Sequence, residues 1–307
     1  MKTNFIFFML VLVLQSCIAQ TKKGFNLENS IIPISEIMDG GPPKDGIPSI
    51  DNPKFVKVYE TKLDDEDRIL GVFENGIAKA YPIEILNYHE IVNDYFGNKP
   101  VVITFCPLCG SGIAFNAEIK GKPTSFGVSG LLYNSDVLLY DRETESVWSQ
   151  LLFKAVSGPL VNTELEILAT ANTTWGSWLK KHPESLVLSE ETGFNRDYSR
   201  NPYPDYSKSS KLYFPASGND DRFHPKEMVI GLEILGKFKA YPFSELKKLK
   251  SSVLNDTFQD KKMIIKYDPK SDSAEIMDKE GNIIPAVTNF WFAWVAFHPK
   301  AEVYFNN

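Results

Sequence analysis

The chain has 307 residues, of which 43% are hydrophobic, 13% aromatic and 23% charged, with a formal net charge of −6. This is a globular composition, with enough apolar surface for one large domain or two ordinary ones. An acidic balance without a long basic run argues against nucleic acid as a partner, and three cysteines are too few to staple an exported fold.

The first residues, MKTNFIFFMLVLVLQSCIAQ, hold one early lysine and then an apolar run from Phe5 to Leu14. A bilayer span needs about 20 residues, so this shorter run reads as the core of a signal peptide over 1–19. Leu14-Gln15-Ser16-Cys17 resembles a bacterial lipobox, which would make Cys17 the acylated mature N-terminus; ordinary cleavage near Ala19 is the alternative. The expected location is the periplasm or cell envelope, as a lipoprotein or a soluble secreted protein, with a lipid anchor as the one membrane contact. Residues 20–67, with DGGPPKDGIPSIDNPKF, lack helical or strand periodicity and read as an ordered Gly/Pro-rich segment.

From Arg68 onward the chain repeats itself. RILGVFENGIAKAYPIEIL matches MVIGLEILGKFKAYPFSEL from Met228, and KPVVITFCPLCGSGIAF matches KKMIIKYDPKSDSAEI. Trp175, Trp178, His182 and Pro183 match Trp291, Trp294, His298 and Pro299. The pattern predicts a duplicated unit, module A over 68–190 and module B over 228–305, joined by a Tyr/Pro/Ser-rich surface linker over 191–227.

Alternation around Glu74-Asn75-Gly76 predicts a β-hairpin. Ile83, Leu86, Ile91 and Val92 then fit one face of a short helix that Gly97 ends, and VVITF and GIAFN flank the hairpin tip CPLCGSG. The expected class is α+β, an internally duplicated two-module fold of hairpins and short helices with a β-rich insertion in the first module. Matched positions are 162 apart at the cysteines but 116 apart at the tryptophans, so module A carries some 46 residues that B lacks.

The repeat separates scaffold from site. Module B keeps Ala-Tyr-Pro, Asn-Asp, both tryptophans and His-Pro, but has Asp268 for Cys106, Ser271 for Cys109 and Leu249 for His89. Loss of all three soft-ligand or redox candidates together marks module A as the equipped half. Cys-Pro-x-Cys-Gly is the sequence of a metal knuckle, yet it supplies only two ligands, so His89 is the expected third, with Glu90 or an acid from the insertion as a candidate to join it. Such a mixed site suits copper, zinc or iron.

Glu90, Asp136, Asp141, Arg142, Trp148 and Gln150 are the candidates for supporting the site or lining a pocket, with Arg142 the choice for an anion. The bland alternatives are a salt-bridged turn for Asp141–Glu145, packing for the remaining tryptophans and for His182 and His298, and a surface turn for His224. If the cysteines cycle with a disulfide instead, Cys106 and Cys109 are the catalytic pair of a thiol–disulfide oxidoreductase. A third possibility is a non-catalytic module that binds a small molecule. The expected partners are thus a small molecule or a metal donor or acceptor.

The motifs GGPPKDGIPSIDNPKF, AYPIEILNYHEIVND, TFCPLCGSGIAF, FGVSGLLYNSDVLLYDRETESVWSQ and KHPESLVLS together closely resemble an exported bacterial and archaeal family, the domain of unknown function numbered thirty-one seventy-nine. The family's pattern falls on His89, Glu90, Cys106, Pro107, Cys109 and Gly110. The resemblance implies no particular activity.

Overall fold

A computed structural model describes residues 21–306; the signal-peptide and lipobox readings, Cys17 included, lie outside them. The chain is 42% strand and 12% helix, and its five principal sheets are the blades of a five-bladed β-propeller. This corrects the expected two-module α+β fold. The α-helices Ile83–His89, Trp175–Lys181, Phe243–Leu246 and Trp291–Phe297 are too short to form a layer, and each lies against the strands of a blade. No helix among the described residues is long and apolar enough to cross a membrane.

One local misreading contributes to the difference. Ile91 and Val92 fit a helical face by spacing, but the helix stops at His89 and Glu90 takes a left-handed φ of 57°. Ile91–Phe96 is a strand instead, paired with Lys99–Cys106. Its β-branched residues pack better on a pleated surface than against a preceding helical turn.

Two pairs of blades share topology and register. In one blade Arg68–Glu74 and Ile77–Pro82 form a hairpin, Thr170–Thr174 flanks the first strand, and Leu186–Leu188 runs parallel to the second. In another, Met228–Ile234, Lys237–Pro242, Val287–Phe290 and Glu302–Val303 do the same. The turn residues Asn75 and Gly76 have φ of 50° and 75°, and Leu235 and Gly236 have 51° and 71°, as the tightest hairpin turns require. Gly71 and Gly231 are glycines for a steric reason, since a Cβ at either would overlap the ring of Trp178 or Trp294. The Ala-Tyr-Pro and Asn-Asp motifs meet across blades: Tyr81 Oη donates to Asp94 at 2.5 Å, and Tyr241 Oη to Asp256 at 2.8 Å.

The second pair consists of Ile91–Phe96, Lys99–Cys106 and Ser111–Asn116, edged by Ile167–Leu168, and of Val253–Phe258, Lys261–Asp268 and Ser273–Asp278. The fifth blade comes from the extra residues of module A: Phe126–Tyr133, Asp136–Asp141, Val147–Ser149 and Lys154–Ser157. The N-terminal segment adds Ile37–Asp39 at its edge and packs Phe25, Leu27 and Ile37 against Leu131, Leu138 and Tyr140. Segment 191–227 is mostly exposed, as a surface linker is, but it buries Tyr198, Tyr206 and Lys226.

Candidate metal centre

The cysteine hairpin ends in a turn from Cys106 to Gly110. Cys109 N donates to Cys106 O at 3.2 Å, and Gly110 closes the turn at a φ of 60°. Phe290 of the neighbouring blade donates its amide to Cys109 O at 2.8 Å, fixing the tip from outside. Both cysteines are free thiols with at most 1% exposure. Beneath them Gln150 braces the hairpin: its amide donates to Thr104 Oγ1 at 2.8 Å and its carbonyl accepts from Ser111 Oγ at 2.5 Å.

The third member comes from the insertion. Asn134 and Ser135 both take left-handed φ, 52° and 63°, forming a two-residue turn between strands Phe126–Tyr133 and Asp136–Asp141. That turn aims the Ser135 carbonyl at both sulfurs, 3.7 Å from Cys106 Sγ and 3.4 Å from Cys109 Sγ. The next residue, Asp136, brings a carboxylate oxygen to the same place. The two sulfurs and this oxygen all lie within 4.8 Å of one another. Asp136 Oδ2 accepts from Leu151 N at 3.1 Å, while Oδ1 is buried with the thiols and the Val137 amide near the carboxyl but no partner in hydrogen-bond geometry.

Burial dominates the electrostatics. It pushes the Asp136 carboxyl up to about 8, and raises both thiols further above their ordinary value. Glu90 is also pushed up to about 8, first by burial and then by the charge of Asp136. Its backbone links helix and hairpin, since its N–H donates to Leu86 O at 2.8 Å and its carbonyl accepts from Phe105 N at 2.7 Å.

His89 is not part of this cluster. Its Nδ1 lies 2.7 Å from Pro48 O and its Nε2 lies 2.7 Å from Tyr198 Oη. A carbonyl only accepts, so Nδ1 carries the proton and Nε2 accepts from the tyrosine, which leaves no lone pair for an ion. The ring's pKa is lowered, chiefly by burial. Of the expected ligands, Cys106 and Cys109 thus come together, with Asp136 rather than His89 as the third group beside them. Adjacent residues at a helix end diverge, and the left-handed cap turns Glu90 rather than His89 toward the acidic cluster.

The remaining candidates have structural partners. Asp141 is buried and accepts from Trp148 Nε1 at 2.9 Å and from Thr144 N at 2.6 Å. Arg142 forks onto Asp45 at 3.2 Å and donates to Tyr140 Oη and Ser49 Oγ, both at 2.9 Å, so its donors tie the insertion to the N-terminal segment. Trp148 is fully buried core. The sequence reading misses the Ser135 carbonyl and the aromatic cover provided by segment 191–227; the density of tyrosines in that segment is its only signal.

No curated protein and no solved structure matches the chain. Residues 44–301, which include the whole cysteine–carboxylate cluster, match the family described as protein of unknown function (DUF3179), and the chain belongs to that family.

Proposed function

We propose that this is an exported metal-binding protein that holds copper, zinc or iron through Cys106, Cys109 and Asp136. The observation that carries the reading is the unpartnered Oδ1 of Asp136, fully buried beside two thiols that share a single carbonyl. Native proteins rarely leave a buried carboxylate oxygen without a partner. Two thiolates and a carboxylate form a mixed soft and hard donor set that suits a transition ion. When bound, such an ion supplies either electron transfer or Lewis acidity.

The protein's own groups set the conditions. With thiols and carboxyls raised by burial, the ion-free cluster is protonated at neutral pH, so binding releases protons and strengthens as pH rises. Burial of both sulfurs suits storage or hand-over of an ion better than exchange with a partner's disulfide. The thiol–disulfide reading keeps one supporting observation, two free thiols side by side on a single carbonyl.

Metal analysis of protein purified without chelator tests the proposal. One equivalent in the wild type should fall by at least about 100-fold in affinity in Cys106→Ser and about 10- to 100-fold in Asp136→Asn. A stoichiometric ion that survives both substitutions overturns the assignment. A metal-free protein with a dithiol potential in the oxidoreductase range favours the second reading. Export through 1–19 belongs to the same proposal, and lipid labelling lost in Cys17→Ala would mark the anchor.

A further inference from the structure

The segment that crosses the cysteines offers a donor that the three-residue cluster leaves out. Tyr206, in the short turn Tyr206–Lys208, is 2% exposed and shares an apolar cluster with Cys106 and Cys109. Its hydroxyl is fully buried and has no hydrogen-bond partner. The Tyr213 amide lies near the phenol oxygen but outside hydrogen-bond geometry. Burial raises the phenol's pKa, and the neighbouring Cys109 and Cys106 raise it further.

The segment is fastened to the same turn that presents Ser135 and Asp136. Ser135 Oγ donates to Phe214 O at 2.5 Å, and Ser217 N donates to Asn134 Oδ1 at 2.8 Å. Lys226 holds it from the other side. Its ammonium lies 3.5 Å over the Tyr206 ring and donates to Ser209 O at 3.2 Å and Lys211 O at 3.1 Å. Two buried oxygens without partners, Asp136 Oδ1 and Tyr206 Oη, thus lie in the surroundings of one pair of sulfurs.

We propose that Tyr206 is the fourth donor of the metal site, and that ion binding pins residues 203–217 over the cysteines. The inference rests on the metal reading above. Two thiolates and one carboxylate already exceed the charge of a divalent ion, so the phenol coordinates as a neutral oxygen and keeps its proton. Entry and release of the ion then require the segment to lift.

Zn(II) and Co(II) are the probes, with wild type compared to Tyr206→Phe. Removing a hydroxyl that has no partner should leave the metal-free melting temperature unchanged or raised, while Zn(II) affinity falls about tenfold or more. The visible bands of the Co(II) form should change, because one donor is gone. Zn(II) should protect wild type, but not the variant, from tryptic cleavage at the exposed Lys208 and Lys211. Unchanged affinity, Co(II) spectrum and protection in the variant would overturn the role of Tyr206 and leave the metal reading intact. A lower metal-free melting temperature with unchanged Co(II) bands would also overturn it, by giving the hydroxyl a structural role. Absence of saturable Zn(II) and Co(II) uptake by wild type would overturn both.

Discussion

The two hairpin tips, Cys106–Gly110 and the matching Asp268–Asp272, have the same register and opposite polar surroundings. Cys106 pairs with Ser111 as Asp268 pairs with Ser273. In the second tip the matching polar groups are answered within the fold: Asp268 accepts from Ser271 Oγ at 2.6 Å and from Ser177 Oγ at 3.1 Å, and Ser271 and Ser273 hydroxyls meet at 2.7 Å. In the first, the position matching Ser177 is Ala293, packed in the apolar cluster with the sulfurs. The carboxylate arrives instead from the inserted blade and keeps one oxygen free. A turn of this shape needs neither sulfur nor an ion to exist, so the sulfurs of the first tip are not there to form the turn.

Exchanging the tips would break this comparison most strongly. Cys106→Asp with Cys109→Ser places a carboxylate where Ala293 stands in for the Ser177 hydroxyl and where the buried Asp136 carboxyl is close by, and should cost about 2–4 kcal/mol as well as all metal binding. Chemical denaturation and metal analysis measure the two effects; retention of wild-type stability would mean that the tips are interchangeable.

A second contrast concerns the paired histidines. His182 is partly exposed at its helix end, whereas His298 is buried against Phe238, with ring centroids 3.8 Å apart, and burial pushes its pKa down to about 3. A depressed folded-state value means that the contribution of neutral His298 is complete above the unfolded value of about 6.5 and is lost as pH falls toward 3. His298→Phe should therefore flatten the fall in melting temperature between pH 6.5 and 4, while His182→Phe changes it little. Equal pH profiles for the two variants would contradict this assignment.

The paired tryptophans give a smaller effect. Trp178 Nε1 donates to Ser185 Oγ at 2.8 Å, but the matching residue in the other blade is Ala301, and Trp294 Nε1 is buried without a partner. Ala301→Ser should stabilise the protein by about 1 kcal/mol, the worth of one hydrogen bond, read as a higher denaturation midpoint. No gain would mean that the added hydroxyl does not reach the indole. The smallest expected effect is none: Asp268→Cys with Ser271→Cys should bind no second ion, because that tip has no counterpart of Asp136. A second equivalent of metal would show that the hairpin alone makes the site.

Local features are legible in the sequence because they depend on neighbours in the chain. The Asn75-Gly76 turn and the cysteine hairpin follow from alternation and turn chemistry. The propeller is not legible, because the packing of one blade on the next joins residues far apart in sequence, and an apolar spacing of three or four residues in a short segment fits strand and helix alike. The site is half legible. The sulfurs are visible as a pair lost in one copy of a repeat. His89 takes the place of the third ligand in the sequence because nothing there marks Glu90, a non-glycine, as left-handed. Asp136 stands among the supporting candidates and is not singled out from the insertion's other acids, since its approach depends on two successive left-handed residues, Asn134 and Ser135. Tyr206 is hidden in a segment whose composition describes an exposed linker.

X-ray absorption at the metal edge, on protein purified without chelator, tests the central claim most directly. The account predicts two sulfur neighbours and at least one oxygen around the ion, with one sulfur lost in Cys109→Ser. A coordination sphere of nitrogen and oxygen alone, or an imidazole signature that disappears in His89→Gln, would contradict it.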